Sequence, residues 1–178
     1  MCIDSDIKIA GDKPSQNIKS GGEVFSPHKI DPAEKEKAML VGREVADSFA
    51  EDAASSDIGD IENTSEELVM QRRLLLSFTA TAGFEEYIKD DALAGFAQKS
   101  FLDTLKKKDP ELYRSSSDTG AFSFYYLAYR RGSEVERRIG QTFAMLCSHD
   151  GDPIYQEMGE ALYCWFLSEV RKIIAKYF

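Results

Sequence analysis

Three of the chain's five prolines follow an aspartate, in the pairs Asp31–Pro32, Asp109–Pro110 and Asp152–Pro153. No other feature of the sequence constrains the fold as much. An aspartate carboxylate accepts hydrogen bonds from the free N–H groups of a helix start. Proline fits the first turn, where its missing N–H has no partner to lose. Proline also cannot continue a helix that precedes it. Each pair therefore marks a helix start, and Asp109–Pro110 also ends the helix before it.

The segments between these marks carry helical spacing. Ala38, Val41, Val45 and Phe49 follow Asp31 at intervals of three and four, with Glu34 three residues after the cap, and predict a helix to about Ala54. SSDIGDIENTS is read as a connector. Thr64 and Glu67 form a capping-box pattern for the next helix, with Leu68, Leu75, Leu76, Thr79 and Ala82 inward and Gly83 as its stop. Over 84–108, Leu93, Phe96, Ala97, Phe101 and Leu105 repeat at helical spacing, and Asp90 caps a break after FEEYIK. Lys106, Lys107 and Lys108 close that helix, where the dipole favours cations. PELYR reads as a short helix and SSSDTG as a loop. AFSFYYLAYRR reads as a helix with Phe122, Tyr125, Tyr126 and Tyr129 on one side, although its aromatic density also suits a strand. Gly132 and Ser133 then stop it, and Ser133 with Glu136 starts another, whose apolar face is Ile139, Phe143, Leu146 and Cys147. The last helix starts at Pro153 and runs to the C-terminus, with Met158, Leu162, Trp165, Phe166, Ile173 and Tyr177 inward. Residues 161–167 are apolar nearly all round, which places this helix at the centre of the core.

The sum is an all-α, compact array of six to seven helices, orthogonal or bundle-like, without a fixed-period repeat. Residues 1–30, with Gly11, Pro14, Ser20–Gly22 and Pro27, read as a mostly irregular N-terminal arm, flexible or docked through Ile3, Ile7, Ile9 or Val24–Phe25. A short edge strand at Ile7–Ile9 is one option for it. Residues 31–178 are expected to form a single helical domain, and the length suffices for a core.

Composition narrows the function classes. No stretch reaches the roughly 18 apolar residues of a membrane span. The start, MCIDSDIKIAGDK, has no apolar run of a secretory signal. Three cysteines, at 2, 147 and 164, are too few and odd in number for a disulfide framework. In a helical hairpin Cys147 and Cys164 stand roughly 16 Å apart along the axis, against about 7 Å for a bridge. Both are expected to be free, buried thiols in a cytoplasmic protein. The net charge of −9 arises in residues 44–67, which hold nine acids and no Lys or Arg. Glu44, Asp47, Glu51, Asp52, Asp57, Asp60 and Glu62 form the acidic surface. It is either a solvated helix end and loop or a dock for a basic partner, and it repels duplex DNA, so nucleic acid is disfavoured as a partner.

Chemistry-bearing motifs are sparse. CSHDGDP, residues 147–153, gathers a thiol, an imidazole and two carboxylates. Zinc needs three or four ligands at recurrent spacing, and no second cluster completes the set. A calcium loop begun at Asp150 has Tyr155 where glycine is required and Ala161 where a glutamate is required. A nucleophilic Cys147 would sit at a helix C-terminus, where the dipole opposes a thiolate. The stretch is read as a connector: Asp152 caps, Pro153 opens the helix, Gly151 gives the turn its freedom and His149 suits a helix C-terminus. Phosphate-loop, dinucleotide and nucleophile-elbow patterns are absent, and neither histidine follows a glutamate by three residues. Glu86 and Asp90, at i and i+4, could share a helix face as a carboxylate metal site or as a solvated face.

The most distinctive surface is YYLAYRRGSEVERR. Arg130 and Arg131 recur seven residues on as Arg137 and Arg138, close to two helical turns. A continuous helix would carry an arginine stripe beside aromatic rings, suited to an anion. Gly132–Ser133 should break that helix, and Glu134 can pair locally with Arg130, Arg137 or Arg138. Two functions follow as expectations. The first is a non-catalytic interaction or regulatory module that joins a protein partner or a second copy through charge, the acidic residues opposing the pairs at 72–73, 130–131 and 137–138. The second is a ligand-binding protein or enzyme with a pocket between 121–131 and the last helix, walled by Tyr126, Tyr129, Arg130 and Trp165. No cofactor, metal or membrane contact is expected for the first.

Overall fold

The computed structural model describes residues 30–54, 65–118 and 120–178. Among them are seven helices and no strand: α1 Pro32–Ala54, α2 Glu66–Tyr87, α3 Asp91–Lys108, α4 Pro110–Asp118, α5 Ala121–Arg130, α6 Val135–Leu146 and α7 Pro153–Ile174. The all-α array expected from the sequence is what forms. The arm of residues 1–29 and its possible edge strand lie outside the described residues. None of the described helices is long and apolar enough to cross a membrane.

The three Asp-Pro pairs act as starts. Asp31 Oδ1 accepts from Ala33 N at 3.0 Å, Asp109 Oδ1 from Leu112 N at 3.1 Å and Asp152 Oδ1 from Ile154 N at 2.9 Å. Asp90 caps α3 by accepting from Ala92 N and Leu93 N. Four local expectations are corrected. The cap of α2 is Ser65, whose hydroxyl accepts from Leu68 N, one residue beyond Thr64. Gly83 does not stop α2, which continues to Tyr87. A Cβ there would meet Val170 Cγ1 at 2.6 Å, so glycine serves close packing against α7 instead. Most of SSSDTG belongs to α4, which runs on to Asp118. The cap of α6 is Glu134 rather than Ser133, at φ 56° and without a side-chain bond, because the chain turns sharply through Gly132 at φ 88°.

α2 is the central helix, not α7. It packs against all six others, and residues 74–80 along it are buried without interruption. The α7 segment 161–167, apolar nearly all round, has Ala161, Cys164 and Trp165 exposed. Of the face expected to point inward on α7, Phe166 and Ile173 are buried, Met158, Leu162 and Tyr177 are half-buried, and Trp165 is exposed.

Two aromatic clusters tie the helices to α2. Phe84, Phe101, Phe49 and Phe166 form a chain of edge contacts at 5.9, 6.3 and 6.1 Å through α2, α3, α1 and α7. Phe78 of α2 stacks on Tyr125 at 5.4 Å and meets Phe122 and Tyr129 edge-on. Such pairs contribute about 0.5–1.5 kcal/mol each beyond their burial. α6 and α7 form an antiparallel hairpin, whereas α1 and α3 lie parallel with a constant offset. Ser100 Oγ donates to Met39 O and Lys108 Nζ pairs with Asp47, each across a separation of 61 residues. Close approach of these two helices depends on Gly42, where a Cβ would stand 2.1 Å from Ala97 O.

Candidate functional site

The turn between α6 and α7 is a connector in structure. His149 N donates to Ala144 O and Ser148 N to Met145 O, which satisfies the last carbonyls of α6 in the pattern of a Schellman cap. Ser148 takes the left-handed position at φ 61°, and Gly151 stands at φ 80°. Cys147 is buried, and that burial, with the Glu67 carboxylate second, pushes its thiol up to about 12. A thiol so held does not ionise near neutrality and is a poor nucleophile. His149 is exposed and stacks on Tyr155 at 3.8 Å, away from any paired role with Cys147. Cys164, expected to be buried, is exposed. Glu86 and Asp90 do not share a helix, because α2 ends at Tyr87 and Asp90 is spent on capping α3. Among the described residues no three His, Cys, Asp or Glu converge as metal ligands would.

The arginine stripe is divided. α5 ends at Arg130, with Arg131 as its C-cap, and α6 begins at Val135, so the first pair closes α5 and the second lies on α6. Arg130 folds back over Tyr126, its guanidinium 4.8 Å from the ring centroid and donating to Tyr126 Oη. Arg137 pairs with Glu134 at 3.6 Å, and both are exposed. Arg73 pairs with Asp109, and Arg72 is half-buried. Tyr126 is exposed, whereas Tyr125 and Tyr129, expected on the same side, turn towards Phe78. Tyr129 and Arg130 border a cavity of about 460 Å³ with Glu85, Asp91 and Gln98. Burial, then Glu86 and Glu85, raises the Tyr129 hydroxyl above its ordinary range. The α5 and α7 backbones do not approach closely, and Trp165 lies 5.8 Å from Phe166 and not with Tyr129 and Arg130 at their cavity.

Arg131 and Arg138 are brought together. They line a groove of about 330 Å³ between α5 and α6 with Phe124, Leu127, Met145 and Asp150. α5 buries Ala121, Tyr125 and Ala128 at i, i+4 and i+7 against the body. Phe124 and Leu127 consequently face outward, 49% and 56% exposed, beside Met145 at 40%. Arg138 is half-buried, and its Nη1 is enclosed without a hydrogen-bond partner among the described residues. The groove thus joins an apolar floor to two guanidinium groups, one of which has an enclosed amino group without an acceptor among the described residues. Phe124, Leu127 and Met145 were missed in the sequence. The signal was present as Phe124, Leu127 and Arg131 at i, i+3 and i+7, opposite the buried face of α5.

On the acidic side, Glu44 binds Lys176 Nζ and the Tyr177 hydroxyl, and Asp47 pairs with Lys108 at 2.6 Å. The Lys176 contact first and the Tyr177 hydroxyl second hold the Glu44 carboxyl below its ordinary value. The partners of this end of α1 are therefore lysines of α3 and the chain after α7. The side chains of Glu51 and Asp52, and residues Asp57, Asp60 and Glu62, lie outside the described residues. The chain matches no protein-family model, no curated protein and no solved structure.

Proposed function

We propose that the protein is a non-catalytic interaction module of the cytoplasm, and that the groove between α5 and α6 is its docking surface. The observation that carries this reading is the row Phe124, Leu127 and Met145, exposed on a folded domain beside Arg131 and Arg138. Exposed apolar side chains beside charged rims mark association surfaces more often than scattered single ones do. The partner is a protein segment that offers apolar side chains to the floor and carboxylates to the two arginines. Leu127, Phe124 and Met145 are already about half covered, so covering the rest contributes roughly 1 kcal/mol each before any charge pair forms. Free Cys147 and Cys164 fit a reducing compartment.

A random-peptide display selection on the wild-type protein tests this. Enriched peptides are expected to combine acidic and apolar positions. Leu127→Ser, and separately Arg131→Glu with Arg138→Glu, should weaken a selected peptide at least tenfold, or about 1.4 kcal/mol. Arg130→Glu with Arg137→Glu should change little, because those two are held by Tyr126 and Glu134. Peptides that bind all variants alike, or a selection that enriches none, would argue against the groove.

A further inference from the structure

The outer seam of α1 and α3 carries a second feature, independent of the α5/α6 groove. Lys35 and Arg43 of α1 face Lys99 and Lys107 of α3 across a groove of about 350 Å³, with Asp103 as its one acid. The parallel register sets these cations in sequence along the seam. At about 1.5 Å per residue they span roughly 16 Å. All four are exposed. Among the described residues none of them makes an ion pair, whereas Lys108, Lys172 and Lys176 are paired with Asp47, Glu169 and Glu44.

The helix dipole does not account for this cluster. The dipole favours Lys107 in the last turn of α3, but Lys99 stands mid-helix and Lys35 stands in the first turn of α1, where a cation is disfavoured. Four like charges against the single carboxylate of Asp103 along one groove still repel each other, and on a chain of net charge −9 they are a local exception. Two contacts hold the α1 pair in place. Lys35 Nζ lies 4.6 Å over the Phe96 ring, and Arg43 Nε donates to Met39 O at 3.4 Å, which leaves the terminal amino groups of Arg43 for another acceptor.

We propose that this groove binds a small soluble polyanion of the oligophosphate class. Its phosphates lie between the Lys35–Lys99 end and the Arg43–Lys107 end, and Met39 and Phe96 offer an apolar surface to any organic group it carries. The volume matches the lower range of small-ligand sites. A duplex nucleic acid is too long for the seam, and the chain's net charge of −9 opposes it. A compact multivalent anion gains from all four cations and stays within about one screening length of them.

The test is isothermal titration of the full chain with inorganic tripolyphosphate and with a nucleoside triphosphate, in buffer free of divalent cations. Binding of tripolyphosphate that weakens with added salt is expected. The Lys35→Gln/Lys99→Gln/Lys107→Gln variant, whose changes are all at exposed positions, should bind at least tenfold more weakly with its unfolding midpoint within a few degrees of wild type. Arg131→Glu/Arg138→Glu should bind as wild type does, which separates this site from the α5/α6 groove. Tighter binding of the nucleoside triphosphate, lost on Phe96→Ala, assigns the ligand to the organic phosphates. Equal binding assigns it to free oligophosphate. Absence of binding by both compounds, or equal affinity in the lysine variant, would overturn the proposal.

Discussion

Tyr125 shows how one side chain can serve packing against its own chemistry. Its ring is fully buried and stacked on Phe78, yet its hydroxyl has no hydrogen-bond partner among the described residues. Burial, with nearby Cys147 second, holds that hydroxyl well above its ordinary range. A buried unpartnered hydroxyl costs about 1–3 kcal/mol, and removing it keeps the ring contacts. Tyr125→Phe should therefore stabilise the domain by about 1 kcal/mol and raise the unfolding midpoint by about 2–4 °C. A drop in the midpoint of chemical denaturation would instead show a partner for the hydroxyl. The same residue explains why the surface was only partly legible in sequence. Tyr125 and Tyr126 are chemically alike and adjacent, and only the angle of α5 on α2 decides which one is inside. Arg131 and Arg138 were legible as candidates. The break at Gly132–Ser133 was legible too, but the left-handed turn through Gly132 and Glu134, which sets Arg131 and Arg138 apart from Arg130 and Arg137, is not encoded by periodicity.

Among the elements, the α1/α3 pair makes the sharpest demand on one position. A Cβ at Gly42 would stand 2.1 Å from the Ala97 carbonyl oxygen and 2.9 Å from Phe101 N, both backbone atoms that cannot swing aside. Gly42→Ala should destabilise by about 3 kcal/mol, measured by urea denaturation. Gly95→Ala, on the exposed side of α3 with nothing within 4 Å, should stabilise by about 0.5–1 kcal/mol. If the two variants behaved alike, the close approach of α1 and α3 would be wrong. Helix existence was legible because caps and apolar spacing are local properties of the chain. The three Asp-Pro starts and the Asp90 cap are cases of this. Helix order in the core was not, because apolarity all round does not distinguish a buried helix from one with an uncovered face. α7 has Cys164 and Trp165 exposed, while α2, with polar Ser77 and Thr79 inside, is the helix that all others touch. Thr79 can be inside because its hydroxyl donates to Leu75 O at 2.8 Å.

For the whole molecule, Glu44 closes the array by holding the chain beyond α7 to α1 through Lys176 and Tyr177. A carboxyl whose folded value lies below its ordinary 4.5 adds stability above that pH, and the gain is lost as pH falls through the folded value. Glu44→Gln should therefore lower the unfolding midpoint at pH 7, and the gap between variant and wild type should vanish in acid below pH 4.5. A gap that stayed constant across pH would assign the effect to packing. The parallel register of α1 and α3 has a consequence for how the molecule assembles. The α6/α7 hairpin joins residues near in sequence and can form as soon as its turn does. The α1/α3 seam joins residues 61 apart, with α2 folded between them, so its contacts return nothing until a long loop has been closed. α1 is accordingly expected to be the last helix to arrive during folding and the first to leave on partial opening. Its departure would bare the Phe101 and Phe166 faces that Phe49 covers.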